Sequence, residues 1–282
     1  MVRSTAKRAR VSRPADRERD DKYFSKVIGK ALDLLAILRV SPQPLSLNEL
    51  TLRVGLAKSS VFRMLHTLEV SGYIERDPSG RYLVSAGVRA WGREQLTNDL
   101  LEAAGGPMRE LSREFGETVS LAMRFENRIE VVATIESPQL IRMGNTVGRI
   151  LPPHASSLGK AITAHQGEDI RERLIRSYGV TPFTTHTITD EVALKLELER
   201  VRERGYSIDE EESVLEGRCF GVPIFGPARE VFAALSLSLP KMRVRDKQTE
   251  DRLVSALRRT TEQIGASLSG RTGAAAASTS QR

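Results

Sequence analysis

The ten residues 56–65, LAKSSVFRML, set Lys58, Ser59, Ser60 and Arg63 among apolar neighbours. An advance of about 100° per residue collects Ser59, Ser60, Arg63, His66 and Thr67 in one arc. Val61, Met64, Leu65 and Leu68 fall in the opposite arc, with Phe62 at the boundary. The polar side of such a helix offers short hydroxyls and cations, and no carboxylate occurs from residue 57 to 68. These groups suit a polyanion. Hydroxyls and free backbone N–H groups at a helix start bond phosphate oxygens, and Lys58 adds charge. Arg63, one turn further along, is spaced to reach a base edge, where an Arg–guanine pair contributes roughly 1–3 kcal/mol of discrimination.

The flanking elements must hold this helix at a surface. In VIGKALDLLAIL, Val27, Ala31, Leu34, Leu35 and Leu38 recur at the spacing of one helix face. Prolines 42 and 44 end that helix, and Ser46 with Glu49 forms a capping-box pattern for a second, LNELTLRV, which stops near Gly55. After Gly72, YIERDPSGRYLV reads as two strands about a DPSG turn, with Arg76 and Arg81 on either side of it. Three short helices followed by a basic-tipped hairpin make a winged helix-turn-helix, whose later helix enters the DNA major groove. A packing module with an incidental polar face is the competing reading.

Charge distribution favours the first. The chain of 282 residues has a net charge of +7, but residues 1–90 hold 17 Lys/Arg against 9 Asp/Glu and the remainder 26 against 27. A basic module is joined to a neutral one, as expected for double-stranded DNA binding at one end and another task at the other. The length allows two cores. Residues 1–22, with eight Lys/Arg, four Asp/Glu and little to bury, read as a disordered basic arm, and residues 270–282 as a disordered small polar tail. Residues 1–22 lack the apolar stretch of a secretory leader and no run of about 18 apolar residues occurs, so neither a leader nor a membrane span is expected, and the single cysteine, Cys219, supplies no disulfide. A cytoplasmic, nucleoid-associated protein without membrane contact is expected.

Catalytic readings are weak. His154, Asp209 and Cys219 include the types of a nucleophile–base–orienter set, but no spacing brings them together. Histidines 66, 154, 165 and 186 show no zinc spacing, and neither a P-loop nor a dinucleotide fingerprint occurs. No enzyme, metal or cofactor is expected.

A winged domain over 23–85 is followed by a linking helix over 86–104, with Val88, Trp91, Leu96, Leu100 and Leu101 as its apolar contacts. From 105 to 269, PMRELSREFGE and ALKLELERVRERG read as helices and RLVSALRRTTEQIGASL as a closing helix. TVSLAMRF and RIEVVATIE read as strands paired across a turn at Glu126–Asn127, and CFGVPIFG and VFAALSLSL as two more. This is an α+β domain around a mostly antiparallel sheet.

These segments resemble the IclR family of bacterial transcriptional regulators over nearly all of residues 24–268. GLAKSSVFRMLHTLEVSGYIERD is similar to the family's helix-turn-helix and wing. LPPHASSLGKAITA, GYSIDEEESVLEGRCFGVPIF and FAALSLSLP, three spaced motifs in the same order, are similar to its second domain. Ala57 stands where relatives often open the recognition helix with proline, a small departure because alanine also favours helix. The resemblance implies a GAF-like effector-binding domain and a dimer or tetramer on a pseudo-palindromic operator. It carries pocket positions onto Leu140, Met143, Ser157, Leu158, Asp209, Cys219, Ser236 and Ser238. Residues 157 and 158 are larger than the Gly and Ala of some relatives, which leaves ligand size open.

The residues agree with this. Ser236 and Ser238 alternate with Leu235, Leu237 and Leu239, so both hydroxyls leave one side of a strand. HASSLGKA opens a helix whose free N–H groups favour a carboxylate. Asp209 would accept from a ligand hydroxyl, or hold a proton and donate. The expected effector is a small organic acid, a hydroxy, keto, sugar or aromatic acid. An architectural DNA-binding protein whose second domain only dimerises is the alternative.

Overall fold

The computed structural model describes residues 24–278 apart from 42 and 227–228, and gives the backbone alone for 91–93 and 271–278. The basic arm over 1–22 and the side chain of Trp91 therefore lie outside the described part. The chain divides into two compact units between Arg93 and Glu94.

In the first unit, Ser25 caps α1 (Lys26–Val40), and Ser46 caps α2 (Leu47–Val54). The capping box forms as its residues predict: the Ser46 N–H donates to Glu49 Oε2 at 2.8 Å and the Glu49 N–H to Ser46 Oγ at 3.3 Å. Gly55, at φ +70°, stops α2 in the left-handed conformation that a side chain resists. The helix α3 (Lys58–Val70) follows, then the hairpin β1 (Ile74–Arg76) and β2 (Tyr82–Val84), in register at Glu75–Leu83. Leu34, Leu38, Leu50, Val61, Leu65, Ile74 and Tyr82 form the core. Val61 and Leu65 are the buried side of α3, which turns the opposite arc to solvent.

From Ala86 to Phe115 the backbone is one helix, α4, where the sequence predicts a linking helix to 104 and a separate one after it. Gly105, Gly106 and Pro107 sit inside it. An interior proline costs a helix about 3 kcal/mol. Burial of Leu100, Ala103, Ala104, Met108 and Leu111 on both sides of the break offsets this.

The second unit is built on a six-stranded, wholly antiparallel sheet of order β5-β4-β3-β8-β7-β6. Its strands are β3 (Thr118–Phe125), β4 (Arg128–Ile135), β5 (Ile150–Leu151), β6 (Ser207–Glu210), β7 (Gly217–Phe225) and β8 (Val231–Pro240). Four of these match the sequence expectation. The short edge strands β5 and β6 do not, since two residues and an acidic SIDE carry no strand signal of their own.

Helices cover both faces. Leu235, Leu237 and Leu239 of β8 pack with α4 and α8 (Lys247–Ser278). Ala122 and Ala234 face α5 (Ser157–Ala164) and α6 (Glu168–Tyr178), and α7 (Glu191–Arg204) packs behind them. The α+β, GAF-like expectation holds. The helix α8 runs on past Gly270 to Ser278, where composition predicts a disordered tail; the alanines at 274–277 favour helix strongly.

The seat of α5 depends on two glycines. A β-carbon on Gly159 would fall 2.1 Å from the Pro152 carbonyl oxygen, and one on Gly221 of β7 would fall 2.6 Å from that of Ser157. Backbone cannot retreat from such contacts as a side chain can. Gly221→Ala is expected to destabilise the second unit by about 1–3 kcal/mol, read as a lowered urea midpoint at unchanged slope; an unaltered midpoint would show that α5 is free to shift.

Candidate functional site

The recognition face is exposed as its residue types require. Lys58, Ser59, Ser60, Arg63 and Thr67 all reach solvent on α3. Ala57 gives no side-chain cap, so the N–H groups of Lys58 and Ser59 in the first turn are left without an intrahelical acceptor. The Thr67 hydroxyl donates to the Arg63 carbonyl at 2.9 Å, which directs it along the helix and away from a base. His66 stacks on Phe62 with ring centroids 6.3 Å apart.

The two wing arginines are engaged within the unit. Arg76 pairs with Glu69 at 2.9 Å and lies 4.7 Å over the Tyr82 ring, and Arg81 pairs with Glu49 at 2.9 Å. Glu49, held by Ser46 and Arg81, has its carboxyl drawn down to about 2. Lys58 and Arg63 have no such carboxylate partner among the described residues. The free positive charge of this face therefore sits on α3, while the wing arginines brace the turn.

A second site opens in the second unit, a cavity of about 440 Å³ between the first turn of α5, the sheet and the loop before β5. Of the residues expected there, Met143, Ser157, Leu158, Asp209, Cys219, Ser236 and Ser238 line it. Leu140 does not: it is 98% exposed on the loop that follows β4. Alternation along β8 places the serines as predicted, with the leucines between them on the far side of the sheet. Asp209 and Cys219 are direct partners across β6 and β7.

Not every polar group here is free. Asp209 Oδ1 accepts the N–H groups of Glu212 at 2.9 Å and Ser213 at 3.1 Å, and its Oδ2 takes the Ser213 hydroxyl. Burial nevertheless pushes the Asp209 carboxyl up, against these bonds. Ser236 Oγ reaches the Ser120 carbonyl only at 3.5 Å. Ser157 is different: the residue is 3% exposed, and its hydroxyl bonds to no described residue and is open to the cavity that it lines. It stands at the start of α5, where Ser156 spends its own side chain on the Gly159 N–H at 3.0 Å.

Residues the sequence reading passed over also line the cavity: Arg142, Asn145 and Arg149, from IRMGNTVGR. Two arginines seven apart in a glycine-containing loop, just ahead of a helix N-terminus, were the available signal.

Behind α5, Lys160 is wholly buried on the Glu212 carboxylate, with Glu197 at 3.9 Å. Glu197 in turn holds Arg204 at 2.8 Å. Burial, with help from Asp209 and Glu197, lifts the Glu212 carboxyl to about 7 against the pull of Lys160.

The catalytic set does not assemble. Burial pushes the Cys219 thiol up to about 12, far from a nucleophilic thiolate. His154 bonds the Thr181 carbonyl at 3.0 Å through Nε2, stacks on Phe183, and leaves Nδ1 without a partner among the described residues. An exposed cationic helix in a winged helix-turn-helix, in a chain whose second unit holds a polar cavity, is the arrangement of the class of DNA-binding transcription regulators.

Known proteins narrow the class. Residues 27–78 match the model of the IclR helix-turn-helix domain, and residues 96–266 that of the bacterial transcriptional regulator IclR C-terminal domain. The HTH-type transcriptional repressor AllR of Escherichia coli K12 is 32% identical over 248 residues, covering 87% of this chain and 90% of that protein. The chain belongs to the IclR family of bacterial transcriptional regulators, and it is no enzyme. The crystal structure of Thermotoga maritima IclR superposes with a TM-score of 0.58 at 25% identity, over 86% of this chain and 98% of that one. An IclR homolog from Microbacterium hydrocarbonoxydans, solved in complex with 4-hydroxybenzoate, shares the fold with a TM-score of 0.56 at 23% identity, over 86% and 98% of the two chains. Among the described residues, no helix is long and apolar enough to cross a membrane.

The buried pair makes a pH prediction. The Glu212 carboxyl titrates near 7 folded and at its ordinary 4.5 unfolded, so between these values the folded chain binds the extra proton. Its contribution is therefore fully present below about pH 4.5 and is lost as pH rises to about 7. Wild-type stability measured relative to Glu212→Gln in urea is expected to fall across that window; a flat difference would place the charge of Glu212 elsewhere.

Proposed function

We propose that this protein binds a pseudo-palindromic operator as a dimer or tetramer, and that a small organic acid in the cavity changes its operator affinity. The observation that carries the effector reading is the Ser157 hydroxyl, which lines the cavity without a partner at the start of α5, where first-turn N–H groups have no intrahelical acceptor. A carboxylate would satisfy both, and Ser236 and Ser238 would take further ligand oxygens. The 4-hydroxybenzoate bound by the Microbacterium homolog is an acid of this class, which supports the reading.

On DNA, the N–H groups of Lys58 and Ser59 and the hydroxyls of Ser59 and Ser60 would hold phosphate with the Lys58 ammonium, and Arg63 would read a base. Arg76 and Arg81 keep their internal carboxylates and shape the wing. The effector acts by linkage: it must bind more tightly to one arrangement of the regulator than to the other, whichever of these is competent for DNA.

Arg63→Ala is expected to relax base preference at one position per half-site, by roughly 1–3 kcal/mol. Lys58→Ala should weaken all sequences alike and lower the salt slope by about one. Operator-variant binding curves at several salt concentrations check both, and an Arg63→Ala protein that retains full base preference sinks the reading role. For the cavity, Ser157→Ala and Ser238→Ala are expected to lose the rise in melting temperature that a binding acid produces while keeping operator affinity. Asp209 is the poorer target, since its carboxylate also ties residues 209–213 together. A chain stabilised by no acid would instead be an architectural DNA-binding protein.

A further inference from the structure

We infer that the effector carries two anionic groups, one received by Ser157 and the serines of β8 and the other by Arg149, so that the preferred ligand is an α,ω-dicarboxylic acid. This rests on the effector reading above. The loop before β5 brings two arginines to the cavity, and they differ in what they already hold. Arg142 is committed: its Nε and Nη2 reach Glu136 Oε2 at 3.2 and 3.0 Å. Arg149 forms no hydrogen bond or ion pair through its side chain with any described residue, and it is solvent-exposed where Ser157 and Ser236 are buried and Ser238 half-buried. It thus stands at the outer wall, with the serines at the floor.

Inside the cavity the one lining carboxylate, Asp209, already takes two N–H groups and a hydroxyl from residues 212 and 213, so it does not need Arg149. The guanidinium is nonetheless near enough for its charge to pull the Cys219 thiol down against burial. A monoacid seated on Ser157 would leave this cation facing the ligand's apolar end. A second carboxylate would meet it with the two parallel N–H bonds that a guanidinium offers.

The test uses the full chain and titrates matched acids of four to six carbons by calorimetry: butyrate against succinate, valerate against glutarate, hexanoate against adipate. At least one dicarboxylate is expected to bind roughly tenfold more tightly than its monocarboxylate partner, the gain of one charge-assisted pair. Arg149→Ala should bring that ratio near one, and Arg149→Lys should restore part of it. Equal affinity for both members of every pair, or a ratio that survives Arg149→Ala, overturns the second anionic subsite and leaves the effector reading standing. Binding of no acid in either series, with Ser157→Ala indistinguishable from wild type, overturns the effector reading itself.

Discussion

The first turn of α5 lies directly on β7, and the absence of one side chain permits it. With Gly221 bare, the Ser157 carbonyl comes close enough to accept from the Ser207 hydroxyl, which pins the helix start to the sheet. Gly159 lets the same turn fold back against Pro152. Two features follow from this seat: Ser157 lines the cavity, and Lys160 is driven into the interior one turn later. A buried cation must find carboxylates, and Glu212 and Glu197 meet it.

Strand β8 divides the domain chemically. Its leucines close the apolar layer with α4 and α8, an arrangement that needs no polar partner. Its serines face the other way, into a space where hydroxyl groups are only partly satisfied by the protein. A sheet face this polar, roofed by a helix, is costly to leave dry. One face of the strand thereby closes the apolar core, while the other presents hydroxyls to the cavity.

The DNA-facing unit shows a different economy of charge. Glu49 and Glu69 neutralise Arg81 and Arg76, so that the wing is held in shape by pairs worth about 0–1 kcal/mol each at a surface. The outer arc of the recognition helix carries no such partners among the described residues. Positive charge is thus concentrated on one element, which sharpens where a phosphate backbone would settle.

Local chemistry made much of this legible in the residues alone. The capping box at Ser46, the two faces of α3, the hairpin at Asp77–Gly80 and the alternation of β8 each depend on neighbours within a few positions, and each appears as its pattern predicts. Three spaced motifs were enough to indicate the family. Other features depend on partners far along the chain. The strand pairings of β5 and β6, the continuity of α4 through Pro107, the capture of the wing arginines and the exclusion of Leu140 from the cavity all needed the assembled fold. So did the meeting of Arg149 with serines some 90 residues later. The sequence by itself determined which groups were available and what chemistry they suit, because side-chain type and short-range periodicity are local. Which of those groups remain unpaired, and therefore available to a ligand, was decided only by tertiary structure, because pairing depends on what burial brings alongside.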